Sequence, residues 1–150
     1  MKEHAVIKNT GKRQWELYES FKYKANDVSL PLFVPKGFVT DFASIPRLFW
    51  WIFSPSGEKY DEAALIHDWL YAFQSCTRKE ADLLFYICMR EYGVGWITAN
   101  IMYYTVRLFG RTHWEVHVND RTERKNCLHL LYEATRDPKY IIQTKDATND

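Results

Sequence analysis

The sequence predicts an α+β fold in which a small N-terminal antiparallel sheet is followed by a mostly helical part, built on an antiparallel helical hairpin and a third helix. Residues 5–40 alternate between apolar and polar types and are rich in β-branched and aromatic side chains, a pattern typical of strands. Two apolar segments, about 59–74 and 77–92, are separated by only a few residues, which predicts an antiparallel pair of helices. A further apolar segment, about 96–109, predicts the third helix.

Turn and capping residues mark the ends of these elements. The segments NTG at 9–11 and AND at 25–27 divide the predicted strands. Thr77 and Glu80 have the spacing of a capping box, which predicts that the second hairpin helix begins there. Gly93 is the expected stop at the end of that helix.

Other elements are predicted from shorter signals. Ser44 and Pro46 precede the segment RLFWWIF and predict a short helix through it. Gly110 is expected to end the third helix, and a charged, weak helix is expected over 119–135. These elements predict a single globular domain over residues 1–135, followed by a flexible tail over 136–150.

The composition indicates one folded domain with no strong overall charge. The chain has 150 residues, of which 47% are hydrophobic and 17% aromatic. Its 20 Lys and Arg residues against 19 Asp and Glu residues give a formal charge of +1, so we expect no nucleic-acid partner. We expect neither a signal peptide nor a transmembrane segment, because the first residues lack an apolar h-region and no apolar run reaches about 18 residues. The 3 cysteines form no C-x-x-C pair, which favours a reducing compartment.

Ionisable residues inside the apolar hairpin are the main candidates for a site. His67 and Asp68 lie side by side in the stretch AALIHDWLYAF, and Asp82 lies in EADLLFYICM. In an antiparallel hairpin His67 and Asp82 are nearly level, so Asp82 is expected to accept a proton from one ring nitrogen and leave the other as a general base. Tyr71, four residues after His67, is on the same face and is expected to donate to Asp82. Asp68 needs a cation, a metal or several hydrogen-bond donors if it is buried.

The pattern H-D-x-x-Y with an Asp on the opposing helix resembles the catalytic hairpin of the secreted calcium-dependent phospholipases that cleave the sn-2 acyl chain. The resemblance implies that His67 activates a water, that Asp82 orients it and that Tyr71 supports the pair. It also implies that Asp68 binds calcium, with Asp41 in GFVTDFASIP as an additional carboxylate ligand. The disulfides and the glycine-rich calcium loop of those enzymes are absent here.

A second resemblance covers more of the chain. The segments FVPKGFVTDFASIPRLFW, YDEAALIHDWLY, TRKEADLLFYICM and MYYTVRLFG, within about residues 33–110, resemble a family of small phage and prophage proteins known as domain-of-unknown-function family 1353. The resemblance implies a phage or prophage origin, and hence a location in the host cytoplasm or in the virion. It implies no particular activity.

Structural interpretations of the same residues remain open. The His67 ring can be a satisfied core side chain, with Asp68 paired with Arg47 or Arg107. Asp82 can pair with Arg78, one turn earlier on the same helix.

Three further motifs also have ordinary interpretations. Asp41 can be a turn or capping residue, and RLFWWIF can be part of the core rather than a lipid-facing or docking surface. In HWEVH, His113, Glu115 and His117 share one face of a strand, or the two histidines one face of a helix. Either arrangement can bind zinc, but scattered surface histidines are the ordinary interpretation.

Two function classes therefore follow from the sequence. The first is a metal-dependent lipid or ester hydrolase of phospholipase type, with His67, Asp82 and Tyr71 as its catalytic residues and calcium at Asp41 and Asp68. It would act on phospholipid or at a membrane surface. The alternative is a non-enzymatic phage structural or host-interaction protein that binds a virion or host protein, and in which the His/Asp cluster is structural. A weaker third hypothesis is a metal-dependent hydrolase of another ester or amide.

Overall fold

The computed structural model describes residues 4–11, 14–23, 32–41, 59–74 and 76–119, with side chains described as far as Glu115. The short helix predicted through RLFWWIF and the helix predicted over 119–135 lie outside these residues, apart from Asn119. The domain limits predicted at residues 135 and 136 also lie outside them and stay a prediction.

Five short strands precede the helices: β1 (Ile7–Gly11), β2 (Gln14–Leu17), β3 (Phe21–Tyr23), β4 (Leu32–Val34) and β5 (Val39–Thr40). All their pairings are antiparallel, as predicted. They form two sheets, however, rather than one: β1, β2 and β5 in one sheet, and β3 with β4 in the other. The chain bends at residues 18–19, so β3 pairs with β4 rather than continuing the first sheet.

The sheets present apolar side chains to the first helix. Trp15 and Leu17 alternate with more exposed residues along β2, and both are buried. A backbone hydrogen bond of 2.8 Å from Leu17 to the carbonyl of Phe38 joins the end of β2 to the turn before β5. Phe38 in turn packs edge-on against Trp69, with ring centroids 5.1 Å apart. The sheets therefore form one wall of the core.

Three helices follow: α1 (Asp61–Phe73), α2 (Arg78–Glu91) and α3 (Trp96–Asn119). Every residue of α1 from Glu62 to Phe73 is buried. The reason is that α1 packs against α2, α3, β4 and β5. Its lack of a polar face, which the sequence shows, follows from this central position.

The ends of the hairpin helices agree with the predicted capping chemistry. The Thr77 side chain accepts from the backbone of Glu80, and the Glu80 carboxylate accepts from the backbone of Thr77 at 2.8 Å, which confirms the capping box. Gly93 follows α2 with a positive φ of 85°, a conformation that favours glycine. Helix α1 ends at Gln74, which is left-handed with φ 51° and donates its backbone N–H to Leu70.

The predicted end of α3 at Gly110 is wrong, because the helix continues through Asn119 and includes the HWEVH motif. Glycine inside a helix costs only about 1 kcal/mol relative to alanine, so it does not by itself end one. Here Gly110 lies against Tyr71 of α1, where a Cβ atom would be 2.7 Å from the Tyr71 hydroxyl. Although α3 has 24 residues, neither it nor any other helix in the described part of the chain is sufficiently long and apolar to cross a membrane.

Candidate active site

The hairpin brings His67, Tyr71 and Asp82 into direct contact. His67 and Tyr71 are one turn apart on α1 and share the face directed at α2. His67 Nε2 lies 2.8 Å from Asp82 Oδ1, and the Tyr71 hydroxyl donates to the same oxygen at 2.7 Å. Both predicted hydrogen bonds to Asp82 are therefore confirmed. The catalytic roles assigned to the three residues stay predictions.

Two arginines hold the second oxygen of Asp82. Arg107 Nη1, on α3, donates to Asp82 Oδ2 at 2.8 Å, and Arg78 Nη1 lies 3.5 Å from the same atom. The predicted Arg78–Asp82 pair is confirmed. The alternative pairing of Arg107 with Asp68 is wrong, because α3 packs against α2 and directs the guanidinium to the fully buried Asp82. Arg47, the other proposed partner of Asp68, lies outside the described residues.

These contacts fix the protonation of Asp82 and Tyr71. Burial acts to raise the pKa of Asp82, but hydrogen bonds outweigh it, the one from His67 most strongly, and hold the pKa below its ordinary value. Burial, reinforced by the hydrogen bond to Asp82, raises the pKa of Tyr71 far above its ordinary value. At neutral pH Asp82 is therefore an anion and Tyr71 a neutral donor.

The two nitrogens of the His67 ring have different surroundings. The ring is fully buried and packs against Tyr71 and Phe85, with centroid distances of 4.2 and 4.7 Å. Because the ionised Asp82 accepts from Nε2, the neutral ring carries its proton there and has a lone pair at Nδ1. Nδ1 is buried and has no hydrogen-bond partner in the described part of the chain. The arrangement therefore presents a basic nitrogen in a fixed orientation.

Asp68, the neighbour of His67, contacts β5 of the sheet. Its carboxylate is buried and accepts a hydrogen bond from the hydroxyl of Thr40 in β5. Asp41, the next residue after Thr40, is exposed. Among the described residues, no group of three or more His, Cys, Asp or Glu side chains is placed to hold a metal ion. Calcium at Asp41 and Asp68 stays a prediction.

The C-terminal half of α3 encloses Tyr71. The Trp114 ring packs edge-on against the Tyr71 ring with centroids 5.0 Å apart, and the His113 ring lies 6.0 Å away. Gly110 completes this wall by allowing the helix backbone to approach the Tyr71 hydroxyl. The Gln74 amide donates to the Trp114 carbonyl at 3.0 Å and links the end of α1 to α3.

The HWEVH motif is helical, so the strand interpretation of it is wrong. Glu115 is exposed and accepts from Arg111 at 2.9 Å. The side chain of His117 lies outside the described part, and zinc binding by His113, Glu115 and His117 stays a prediction.

Two contacts of the site are not indicated by the sequence: Thr40 with Asp68, and Gly110 with Tyr71. Arg107, one of two alternative partners suggested for Asp68, binds Asp82 instead. A signal for Arg107 was present, because it is the only charged residue in MYYTVRLFG. No local pattern pointed to Thr40 or to the role of Gly110.

Comparison with known proteins confirms the family suggested by the sequence. The chain matches the model of the family described as protein of unknown function (DUF1353) over residues 15–106, and it belongs to that family. The matched part contains His67, Tyr71 and Asp82, while Arg107 lies directly after it.

Two relatives are themselves uncharacterized. The chain is 37% identical over 99 residues to the uncharacterized protein y4jT of Sinorhizobium fredii (strain NBRC 101917 / NGR234), a match that covers 64% of this chain and 29% of the relative. It is 36% identical over 93 residues to the uncharacterized protein y4iH of the same strain, covering 61% of this chain and 39% of the relative. The chain thus spans less than half the length of these relatives. No solved structure matches it.

Proposed function

We propose that this protein is a phage-encoded hydrolase of phospholipase type, in which His67 is the general base, Asp82 orients it and Tyr71 supports Asp82. The observation that supports the proposal is the asymmetry of the His67 ring. Asp82 binds Nε2 at 2.8 Å, whereas Nδ1 is a buried nitrogen with no partner in the described residues. A general base requires such a fixed tautomer with an available lone pair.

The proposed reaction is the hydrolysis of an ester. A water molecule at Nδ1 gives a proton to the His67 ring while its oxygen forms a bond to the ester carbonyl carbon. The oxyanion then collapses, the ester C–O bond breaks, and the proton on Nδ1 passes to the departing alkoxide. Asp82 stays ionised throughout, because its pKa is low, and it stabilises the imidazolium form of His67.

Calcium is the proposed electrophile, with Asp41 and Asp68 as ligands. When bound, it would polarise the ester carbonyl and stabilise the oxyanion. Calcium takes about six to eight oxygen ligands. Among the described residues Thr40 contacts Asp68, but no group of three or more His, Cys, Asp or Glu side chains is placed to hold a metal ion. The contribution of calcium is distinct from that of His67 and is tested by removing the ion.

Substrate access requires a movement around His67. The ring has no exposed surface and packs against Tyr71 and Phe85. Opening of segments over a buried site is a common step in enzymes. The segment RLFWWIF is proposed to lie near the acyl chains of the substrate, and it lies outside the described residues.

The direct test is release of fatty acid from phosphatidylcholine vesicles, measured with calcium and with EDTA. The wild-type protein is expected to release fatty acid, and His67→Gln to lose at least about 100-fold of the rate, because it lacks the base. His4→Gln is the matched control, because His4 is a largely exposed histidine at another place in the fold. Absence of release by the wild type, or equal rates for wild type and His67→Gln, would contradict the proposal.

The assay extends to other substrates and to the metal. Loss of activity in EDTA and recovery with calcium would support the calcium site, and recovery with zinc alone would contradict it. Activity on other esters or amides, such as cell-wall fragments, but not on phospholipid would favour the third hypothesis.

A second candidate is a non-enzymatic phage structural or host-interaction protein, located in the virion or the host cytoplasm. The observation that favours it is that the buried Asp82 binds residues of all three helices: Tyr71 of α1, Arg78 of α2 and Arg107 of α3. Joining the three helices would by itself explain why these ionisable residues are buried together, without a catalytic role. This candidate predicts that folded His67→Gln protein keeps its binding to a virion or host protein and that neither protein releases fatty acid.

A further inference from the structure

A cavity of about 770 Å³ lies between the N-terminal segment, β2 and the start of α1. Its size is within the range of about 300–1,000 Å³ that is usual for small-molecule sites. His67, Tyr71 and Asp82 do not line it, so it is separate from the candidate active site. Its lining combines aromatic rings with several charged side chains, so both apolar and charged groups of a ligand could be bound.

Glu62 indicates the charge of a ligand that this cavity would bind. Its side chain is only 10% exposed, and Oε1 pairs with His4 Nδ1 at 2.8 Å. Its other oxygen has no hydrogen-bond partner in the described part of the chain. The His4 side chain is 75% exposed, so the partner of this carboxylate among the described residues is a surface side chain. Glu62 lines the cavity, and its second oxygen is not among the fully buried unpaired atoms of the described residues, so it is accessible from the cavity. A mostly buried carboxylate that faces a cavity in this way favours a cation as its ligand.

The charges around Glu62 also favour a cation. Asp61 and the exposed Lys59 also line the cavity, so its described lining holds two carboxylates against one lysine ammonium group. An anionic ligand would have to enter against both carboxylates.

The walls of the cavity favour an apolar body on that cation. Trp15 and Tyr92 line it, and the ring of His4 packs edge-on against Tyr92 with centroids 5.9 Å apart. Trp and Tyr faces bury apolar groups and also attract cations.

We propose that this cavity binds a small organic cation that carries a primary ammonium or guanidinium group on a flat or aliphatic body. The cationic group lies at the Glu62 carboxylate, with Asp61 nearby, and replaces the His4 ring as the partner of Glu62. The body of the ligand packs against Trp15 and Tyr92. The proposal does not depend on the hydrolase activity proposed above, and its readout is binding.

The test compares probes of equal shape and different charge on the full-length protein at neutral pH. The probes are phenethylammonium, the neutral phenethyl alcohol and the anionic phenylacetate, titrated by calorimetry and by NMR. We expect phenethylammonium to bind and to shift the resonances of Trp15 and Tyr92, and the other two probes to bind at least tenfold more weakly, since a hydrogen bond to a charged group is worth about that factor or more.

Variants locate the binding at Glu62. Glu62→Gln is expected to weaken phenethylammonium binding at least about tenfold, whereas Glu115→Gln, at an exposed carboxylate far along α3, leaves it unchanged. No binding of phenethylammonium to the wild type would overturn the proposal. Equal binding of the neutral probe would also overturn it, as would unchanged affinity in Glu62→Gln. If Glu62→Gln does not fold, the comparison of the three differently charged probes with the wild-type protein still tests the proposal.

Discussion

Arg107 on α3 donates to the Oδ2 atom of Asp82 on α2 at a distance of 2.8 Å. The arginine side chain is 28% exposed and the aspartate is fully buried, so the ion pair joins the protein surface to the centre of the fold. The other oxygen of Asp82 is bound by two residues of α1, His67 and Tyr71. This carboxylate therefore lies where the three helices are held together.

The first prediction concerns this ion pair. Arg107→Gln removes a charged hydrogen bond from the buried Asp82, and the free energy of unfolding is expected to fall by roughly 1–3 kcal/mol. Urea denaturation measures the change. Arg111→Gln, one turn further along α3, is the control, since its partner Glu115 is exposed, and it should leave the denaturation midpoint unchanged. Equal midpoints for all three proteins would show that the Arg107–Asp82 pair contributes nothing to stability.

The second prediction concerns the contact between α1 and α3 at Gly110. Gly110→Ala places a Cβ atom 2.7 Å from the Tyr71 hydroxyl, so it should lower the melting temperature although alanine favours helix. In a Tyr71→Phe background that oxygen is absent, and the same substitution should be less destabilising. Gly95→Ala is the control, because a Cβ there meets nothing within 4 Å. Equal costs of Gly110→Ala in both backgrounds would contradict the proposed clash.

The third prediction concerns acid stability. The pKa of Asp82 is lowered in the folded protein, whereas in the unfolded chain it is about 3.9. As the pH falls, the unfolded chain binds the proton first, so the contribution of Asp82 is complete above that value and is lost as the pH falls through the folded pKa. Urea unfolding between about pH 6 and pH 3 should show a shallower loss of stability for Asp82→Asn than for the wild type. Parallel curves would be inconsistent with the lowered pKa.

The fourth prediction concerns the thiol of Cys76. Burial, together with the negative charges of Glu80 and Asp82, raises the pKa of Cys76 to about 11. In a Cys127→Ser protein, the rate of alkylation by iodoacetamide should therefore keep rising with pH to a midpoint near 11, above the ordinary value of about 8.5. Cys88 is fully buried and should not react in the folded protein.

A variant tests the cause of that shift. Glu80→Gln removes one of the two negative charges and should lower the midpoint. A midpoint near 8.5 in the Cys127→Ser protein that keeps Glu80 would contradict the raised pKa of the partly buried Cys76 thiol.

The features that could be predicted from the sequence are those set by short-range spacing. The capping box of Thr77 and Glu80 depends on residues three positions apart, and Tyr71 shares a face with His67 because they are four apart. The contact of His67 with Asp82 is longer in range, but the short link between the helices fixes it. The α+β class followed from the same local periodicities.

The features that could not be predicted depend on how distant elements pack. Arg107, a charged residue in an apolar segment, is expected to pair with a carboxylate. The packing of α3 on α2 determines that this carboxylate is Asp82 rather than Asp68. The rule that places Gly110 at a helix end is local, whereas its actual role is set by Tyr71 on another helix. The pairing of β3 with β4 in a separate sheet is likewise unpredictable, because alternation along one strand shows which face is buried but not which strand it pairs with.

The wall that α3 builds around Tyr71 has a practical consequence for work on this family. The sequence match to the family ends at residue 106, whereas Gly110 and Trp114, which pack against Tyr71, come after it. A chain shortened at residue 106 would also lack Arg107, and the phenol ring of Tyr71 would be exposed to solvent. Limits drawn from sequence similarity therefore cut through the folding unit, and a preparation that stops there should be insoluble or only partly folded.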